Sequence, residues 1–170
     1  MSNNLKLYTV LTYILIPIAL FFGFLDVLFL LSALANPGAL LFVFIIACLV
    51  IYTFTSFKFY RQGVQREQSL SKGLKDWIKV NAIVSIFLCS MFCLNAISIL
   101  GSSNTTLLKY IDEFVMQQSG FPKEITSNLV LTLLKTVSVL FLITGAVGII
   151  HIRITLRLVK QYDYLSLIHI

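Results

Sequence analysis

Charge is scarce in this chain. Of its 170 residues only 12% are Asp, Glu, Lys or Arg, about half the share of a typical soluble domain. That shortage excludes an ordinary water-soluble enzyme. It also excludes a disordered chain, which needs high polarity and charge to stay solvated. Three cysteines, Cys48, Cys89 and Cys93, cannot staple a small secreted domain, and all three fall inside apolar runs. Cys89 and Cys93 stand one helical turn apart, but no histidine or carboxylate shares their depth, so a metal site lacks ligands. Histidine is scarcer still, with His151 and His169 too far apart to act as a pair. Walker loops, zinc-protease helices, c-type haem motifs and a Ser/His/Asp order are absent from the sequence. No catalytic residue, no metal ligand set and no cofactor is therefore assigned.

What the chain has instead is hydrophobicity, 58% of its residues, gathered into four blocks. A bilayer core about 30 Å thick takes roughly 20 apolar residues of helix to cross. The blocks at residues 7–34, 38–57, 78–100 and 129–152 each reach that length. Period-2 alternation is missing, so helices rather than barrel strands are expected. The expected fold is an all-α integral membrane four-helix bundle over residues 1–164, with no separate soluble domain.

Local signals mark the edges. Asn36-Pro37 has the form of an N-cap followed by proline at the first helical position, which makes spans one and two a tight hairpin. Pro17 interrupts span one and leaves the carbonyl of Tyr13 without its usual donor. Ala33-Leu34-Ala35 has the spacing of a signal-peptidase site, yet the apolar run before it is far too long and contains Asp26. An uncleaved first helix is expected.

Lys and Arg decide orientation. Lys6, Lys58, Arg61, Arg66, Lys72, Lys75, Lys79, Arg153, Arg157 and Lys160 lie on one side; Lys109 and Lys123 lie on the other. Ten against two puts both termini and the middle loop in the cytoplasm. The net charge of +6 belongs to a membrane surface on this reading, with the lipid bilayer as partner and nucleic acid excluded. The bacterial cytoplasmic membrane is the expected location, and a second copy or another membrane protein is the expected further partner.

Both connecting loops have periodic content. Leu70, Leu74, Trp77 and Ile78 form an apolar stripe expected to lie along the interface before span three. In the outer loop Leu107, Leu108, Ile111, Phe114 and Val115 predict a short amphipathic helix ending near Gly120-Phe121-Pro122. Asn104-Thr105-Thr106 is a glycosylation triplet on the outer side, relevant only in a eukaryotic secretory pathway.

Three polar residues within the spans are the candidate site: Asp26, Asn95 and Lys135. Counted from the span ends, all three lie roughly 9–12 Å below the outer boundary at 1.5 Å per helical residue. An intramembrane charge costs about 2.5–3.5 kcal/mol on the insertion scale, and an opposite charge at equal depth offsets much of that. Ala19, Gly23 and Asp26 share one face of span one. Thr132, Lys135, Ser138, Val139, Leu142 and Ala146 form a mixed stripe on span four, expected to point inward. Ser85, Cys89 and Cys93 make a small-residue stripe that would let a neighbouring helix approach.

The final six residues, 165–170, read Leu-Ser-Leu-Ile-His-Ile. They are the in-frame translation of the mosaic-end adapter used in transposase-based sequencing libraries, and we read them as an adapter scar. Two functions follow as expectations: a non-catalytic accessory or scaffold component, or a small transporter or channel subunit working through the Asp26, Asn95 and Lys135 layer.

Overall fold

The computed structural model describes residues 3–117 and 126–168. Among them the chain is helical with short connections and no strand. Helix α1 runs Asn3–Ala35, α2 Leu40–Phe59, α3 Lys72–Gly101, α4 Asn104–Gln117 and α5 Ser127–Ile168. Four of these, all but α4, are long and apolar enough to cross a membrane. Helix α5, at 42 residues, is roughly 63 Å long at 1.5 Å per residue. It therefore extends well past a hydrocarbon core of about 30 Å.

The hairpin between α1 and α2 forms as its sequence requires. Asn36 is extended at φ −135°, and its side chain accepts a hydrogen bond from the Gly38 N–H at 3.2 Å. Pro37 then opens a single 3-10 turn, and α2 begins at Leu40. Pro17 lies within α1, which continues through it.

After α2 the backbone widens into a π-helical turn, Tyr60–Gln65. Gly63 makes this possible: a Cβ there would stand 3.2 Å from the Phe59 ring and 3.3 Å from Leu70. The turn ends at Glu67, whose φ of 51° is left-handed, and the Gln68 N–H bonds back to the Gln62 carbonyl at 3.0 Å. Ser71 then accepts from the Leu74 N–H and starts α3. Leu74, Trp77 and Ile78 belong to one continuous helix, α3, with Leu74 and Ile78 buried and Trp77 exposed.

The described chain forms two compact units, residues 1–89 with 147–170, and residues 90–146. In the first, one core draws on all four long helices: Tyr8 from α1, Tyr52 and Phe59 from α2, Ile78 and Ala82 from α3, and Ile152 and Val159 from α5. Small residues set the close approaches. Ala19 is buried, Gly23 stands against the Val50 methyls, and the Ser85 hydroxyl reaches the Cys48 carbonyl at 3.4 Å. The three cysteines form no disulfide.

In the second unit the core is Leu107 and Ile111 of α4 against Leu131 of α5. The amphipathic helix expected between spans three and four is present, with one correction. Phe114 is 56% exposed, because the buried stripe follows Leu107, Ile111 and Val115 at four-residue steps and leaves Phe114 beside it. The end expected at Gly120-Phe121-Pro122 lies outside the described residues. The stripe expected to point inward on α5 is only partly right as well: Ser138 is buried, but Thr132, Val139 and Ala146 are exposed.

Gly148 carries a sharp test of this packing. A Cβ at that position would fall 2.5 Å from the Cys89 sulfur. Gly148→Ala should lower stability by about 1–3 kcal/mol, the usual cost of overpacking a filled core. Adding Cys89→Ala should recover most of that loss in thermal unfolding. Simple addition of the two effects would contradict the contact.

Candidate functional site

The strongest constellation of polar groups lies in the first unit, at the junction of α1, α2 and α5. His151 is 0% exposed, yet both ring nitrogens have partners. Nε2 lies 3.0 Å from the Thr12 hydroxyl of α1, and Nδ1 lies 2.8 Å from the Tyr52 hydroxyl of α2. The Tyr52 oxygen is also 2.9 Å from Thr155 Oγ1. The Tyr8 ring stacks on the imidazole, centroids 4.9 Å apart and planes at 18°, and its hydroxyl donates to the Ser56 carbonyl at 3.4 Å.

The Thr12 hydroxyl also reaches the Tyr8 carbonyl at 2.7 Å, and the Thr155 hydroxyl reaches the His151 carbonyl at 2.9 Å. A neutral ring carries one N–H, and either tautomer bonds both of its nitrogens. With Nε2–H the ring donates to Thr12 and Tyr52 donates to Nδ1; with Nδ1–H the ring donates to Tyr52, whose hydroxyl donates on to Thr155, and Thr12 donates to Nε2. Either way the three hydroxyls and the ring share four hydrogens. A fifth hydrogen would turn the ring into a buried cation. That costs several kcal/mol, against roughly 1 kcal/mol for one more hydrogen bond. The neutral, fully bonded ring wins.

This arrangement fastens three helices and admits nothing. Thr12, Tyr52, His151 and Thr155 are all buried. Each helix contributes its groups at i and i+4: Tyr8 with Thr12, Tyr52 with Ser56, His151 with Thr155. One-turn spacing puts each pair on a single face. In the sequence His151 has no second histidine near it and so points to no site by itself. The repeated i, i+4 polar pairs on three apolar helices were the signal that could have found the rest.

The three residues singled out from sequence divide between the units. Asp26 lies in the first, and its Oδ1 is buried without a hydrogen-bond partner. Asn95 and Lys135 lie in the second. Asn95 is exposed and donates to the Met91 carbonyl of its own helix at 2.8 Å. Lys135 donates to the side chain of Asn104 at the start of α4, the residue of the glycosylation triplet. Asp112, also in α4, accepts from Ser127 at 2.5 Å, so two polar contacts tie α4 to the start of α5. Among the described residues no group of His, Cys, Asp and Glu could hold a metal ion. Comparison with protein-family models, curated proteins and solved structures gives no match for this chain.

Tyr52→Phe keeps the ring and removes the hydroxyl, stranding Nδ1 in the core. It should cost about 1–3 kcal/mol, the penalty for one buried unsatisfied polar group. Nitrogen NMR of the wild-type protein should show a neutral His151 ring with both nitrogens hydrogen-bonded. A doubly protonated ring at neutral pH would contradict the junction as described.

Proposed function

We propose that this is a four-span integral membrane protein, a four-helix bundle with both termini and the middle loop in the cytoplasm, acting as a non-catalytic accessory or scaffold component. The bacterial cytoplasmic membrane is the location that fits its charge pattern. Exposed apolar side chains along the long helices support a bilayer setting: Phe24, Leu31 and Leu34 of α1, Phe42 of α2 and Ile83 of α3 each have more than half their surface uncovered. Apolar surface on this scale needs lipid or protein to cover it.

The observation that carries the non-catalytic reading is the closed hydroxyl–imidazole junction. The group best suited to acid–base chemistry, His151, spends both nitrogens on fastening α1 and α2 to α5, and no substrate atom can reach it. An adaptor or scaffold needs this kind of fixed shape, so that a partner meets the same surface each time.

A second reading has one observation in its favour. Asp26 places a carboxyl at membrane depth with an unpartnered, buried oxygen, and intramembrane ionisable groups are functional candidates by default. On that reading Asp26, Asn95 and Lys135 serve a small transporter or channel subunit.

Reporter fusions active only outside the cell should signal near Asn104 and stay silent near Gln68. An external label reaching a cysteine placed at Gln68 would overturn the orientation. Purified protein in liposomes separates the two functions. The scaffold reading expects proton and cation flux at the level of empty vesicles. Flux that falls at least ten-fold in Asp26→Asn or Lys135→Met would transfer the assignment to the transporter.

A further inference from the structure

Two helices of the first unit carry exposed stripes that change character along their length at the same spacing. On α2 the stripe is Ile51, Phe54 and Lys58, at i, i+3 and i+7, and Arg61 follows in the π-helical turn. On α5 it is Ile150, Arg153 and Arg157 at the same spacing, followed by Lys160. All eight side chains are exposed, and helical geometry puts the residues within each α-helix on one face. Their opposite faces are buried together, Tyr52 and Phe59 of α2 packing in the core that holds Ile152 and Val159 of α5. The Arg61 guanidinium lies 5.9 Å above the Phe57 ring, which holds it against its own helix.

We propose that these two stripes bind anionic phospholipids, acyl chains lying along Ile51, Phe54 and Ile150, with headgroup phosphates on Lys58 of α2 and Arg61 of the turn after it, and on Arg153 and Arg157 of α5. The inference rests on the membrane placement proposed above. Each stripe is itself amphiphilic, apolar for its first turn and cationic for the next two, and its complement is a molecule with an apolar tail and an anionic head. A soluble polyanion could satisfy the cations but would leave the apolar turn beside them bare. Depth agrees. Lys58 lies four residues beyond Phe54, and Arg153 and Arg157 lie three and seven beyond Ile150, which is roughly 5–10 Å of helix. The headgroup layer on each side of the hydrocarbon is about 5–7 Å thick, so flexible Lys and Arg side chains reach it.

Helix α3 differs in having an acid among its cations. Its exposed face carries Lys72, Asp76 and Lys79 before Val80, Ile83 and Phe87, and Glu67 is exposed in the connection before it. The stripes named above hold cations and no acid.

Native mass spectrometry and spin-labelled lipids test this on the full chain in nanodiscs. Phosphatidylglycerol should be retained roughly five-fold over phosphatidylcholine, the ratio expected for one favourable cation at an anionic surface. Arg153→Gln with Arg157→Gln, and separately Lys58→Gln with Arg61→Gln, should each lower that excess. Lys109→Gln in α4 should leave it unchanged. Because charge removal could disturb insertion, wild-type protein at raised salt is the second measurement, and screening should reduce the excess without any variant. Equal retention of the two lipids, or an excess that survives both double variants, overturns the proposal. So does displacement of the lipid by soluble glycerophosphate, which would make free phosphate the ligand. A chain that fails to enter phosphatidylcholine nanodiscs fails the membrane reading first, and this inference with it.

Discussion

A polar group buried away from water must find a partner inside the protein or destabilise it by several kcal/mol, and much of the first unit can be derived from that constraint. The apolar residues around them offer the polar groups of α1, α2 and α5 nothing to bond. His151 therefore fixes where α5 meets α1 and α2: Thr12 must stand at one nitrogen and Tyr52 at the other. Apolar packing alone would tolerate a helix rotated or slid by a turn, since Leu and Ile make similar contacts in several registers. A bonded imidazole does not tolerate it. The apolar residues around the junction, from Phe59 and Ile78 to Val159, supply contact area, while the hydroxyls and the ring select one arrangement of it.

Close approach is the second condition, and small residues meet it. A Cβ on Gly148 would meet the Cys89 sulfur at 2.5 Å, and one on Gly63 would press on the Phe59 ring at 3.2 Å. Such positions keep helix backbones near enough for side-chain hydroxyls to reach across. Where side chains are large, as at Phe24 and Phe42, the helix surface is left uncovered within the chain.

How much of this the sequence revealed depends on range. The four long helices were legible because a run of twenty apolar residues is a local signal that no tertiary contact has to supply. The Asn36-Pro37 turn was legible for the same reason, since the cap bond spans two residues. The amphipathic α4 was found by its period, but Phe114 was assigned to the wrong side because a stripe one residue too wide still fits the pattern. The polar junction was missed. Its bonds join residues 139 and 99 positions apart, and each member alone looks like an ordinary Thr, Tyr or His. Asp26, Asn95 and Lys135 stand out in the sequence instead, because two charges and an amide are conspicuous in apolar runs. Two of those three turn out to make hydrogen bonds within their own unit.

The claim that the junction is a fastening is tested most directly by replacing it whole. Thr12→Val, Tyr52→Phe and His151→Leu substitute apolar side chains of similar size at each bonded position. Singly, each strands a buried partner and should lower the melting temperature in detergent or bilayer. Together they strand fewer groups, so the triple variant should be markedly more stable than the summed single losses imply, with its helix content unchanged. A triple variant whose loss equals the sum of the singles would mean that these groups act independently, and that something other than their mutual hydrogen bonds holds α1, α2 and α5 in register.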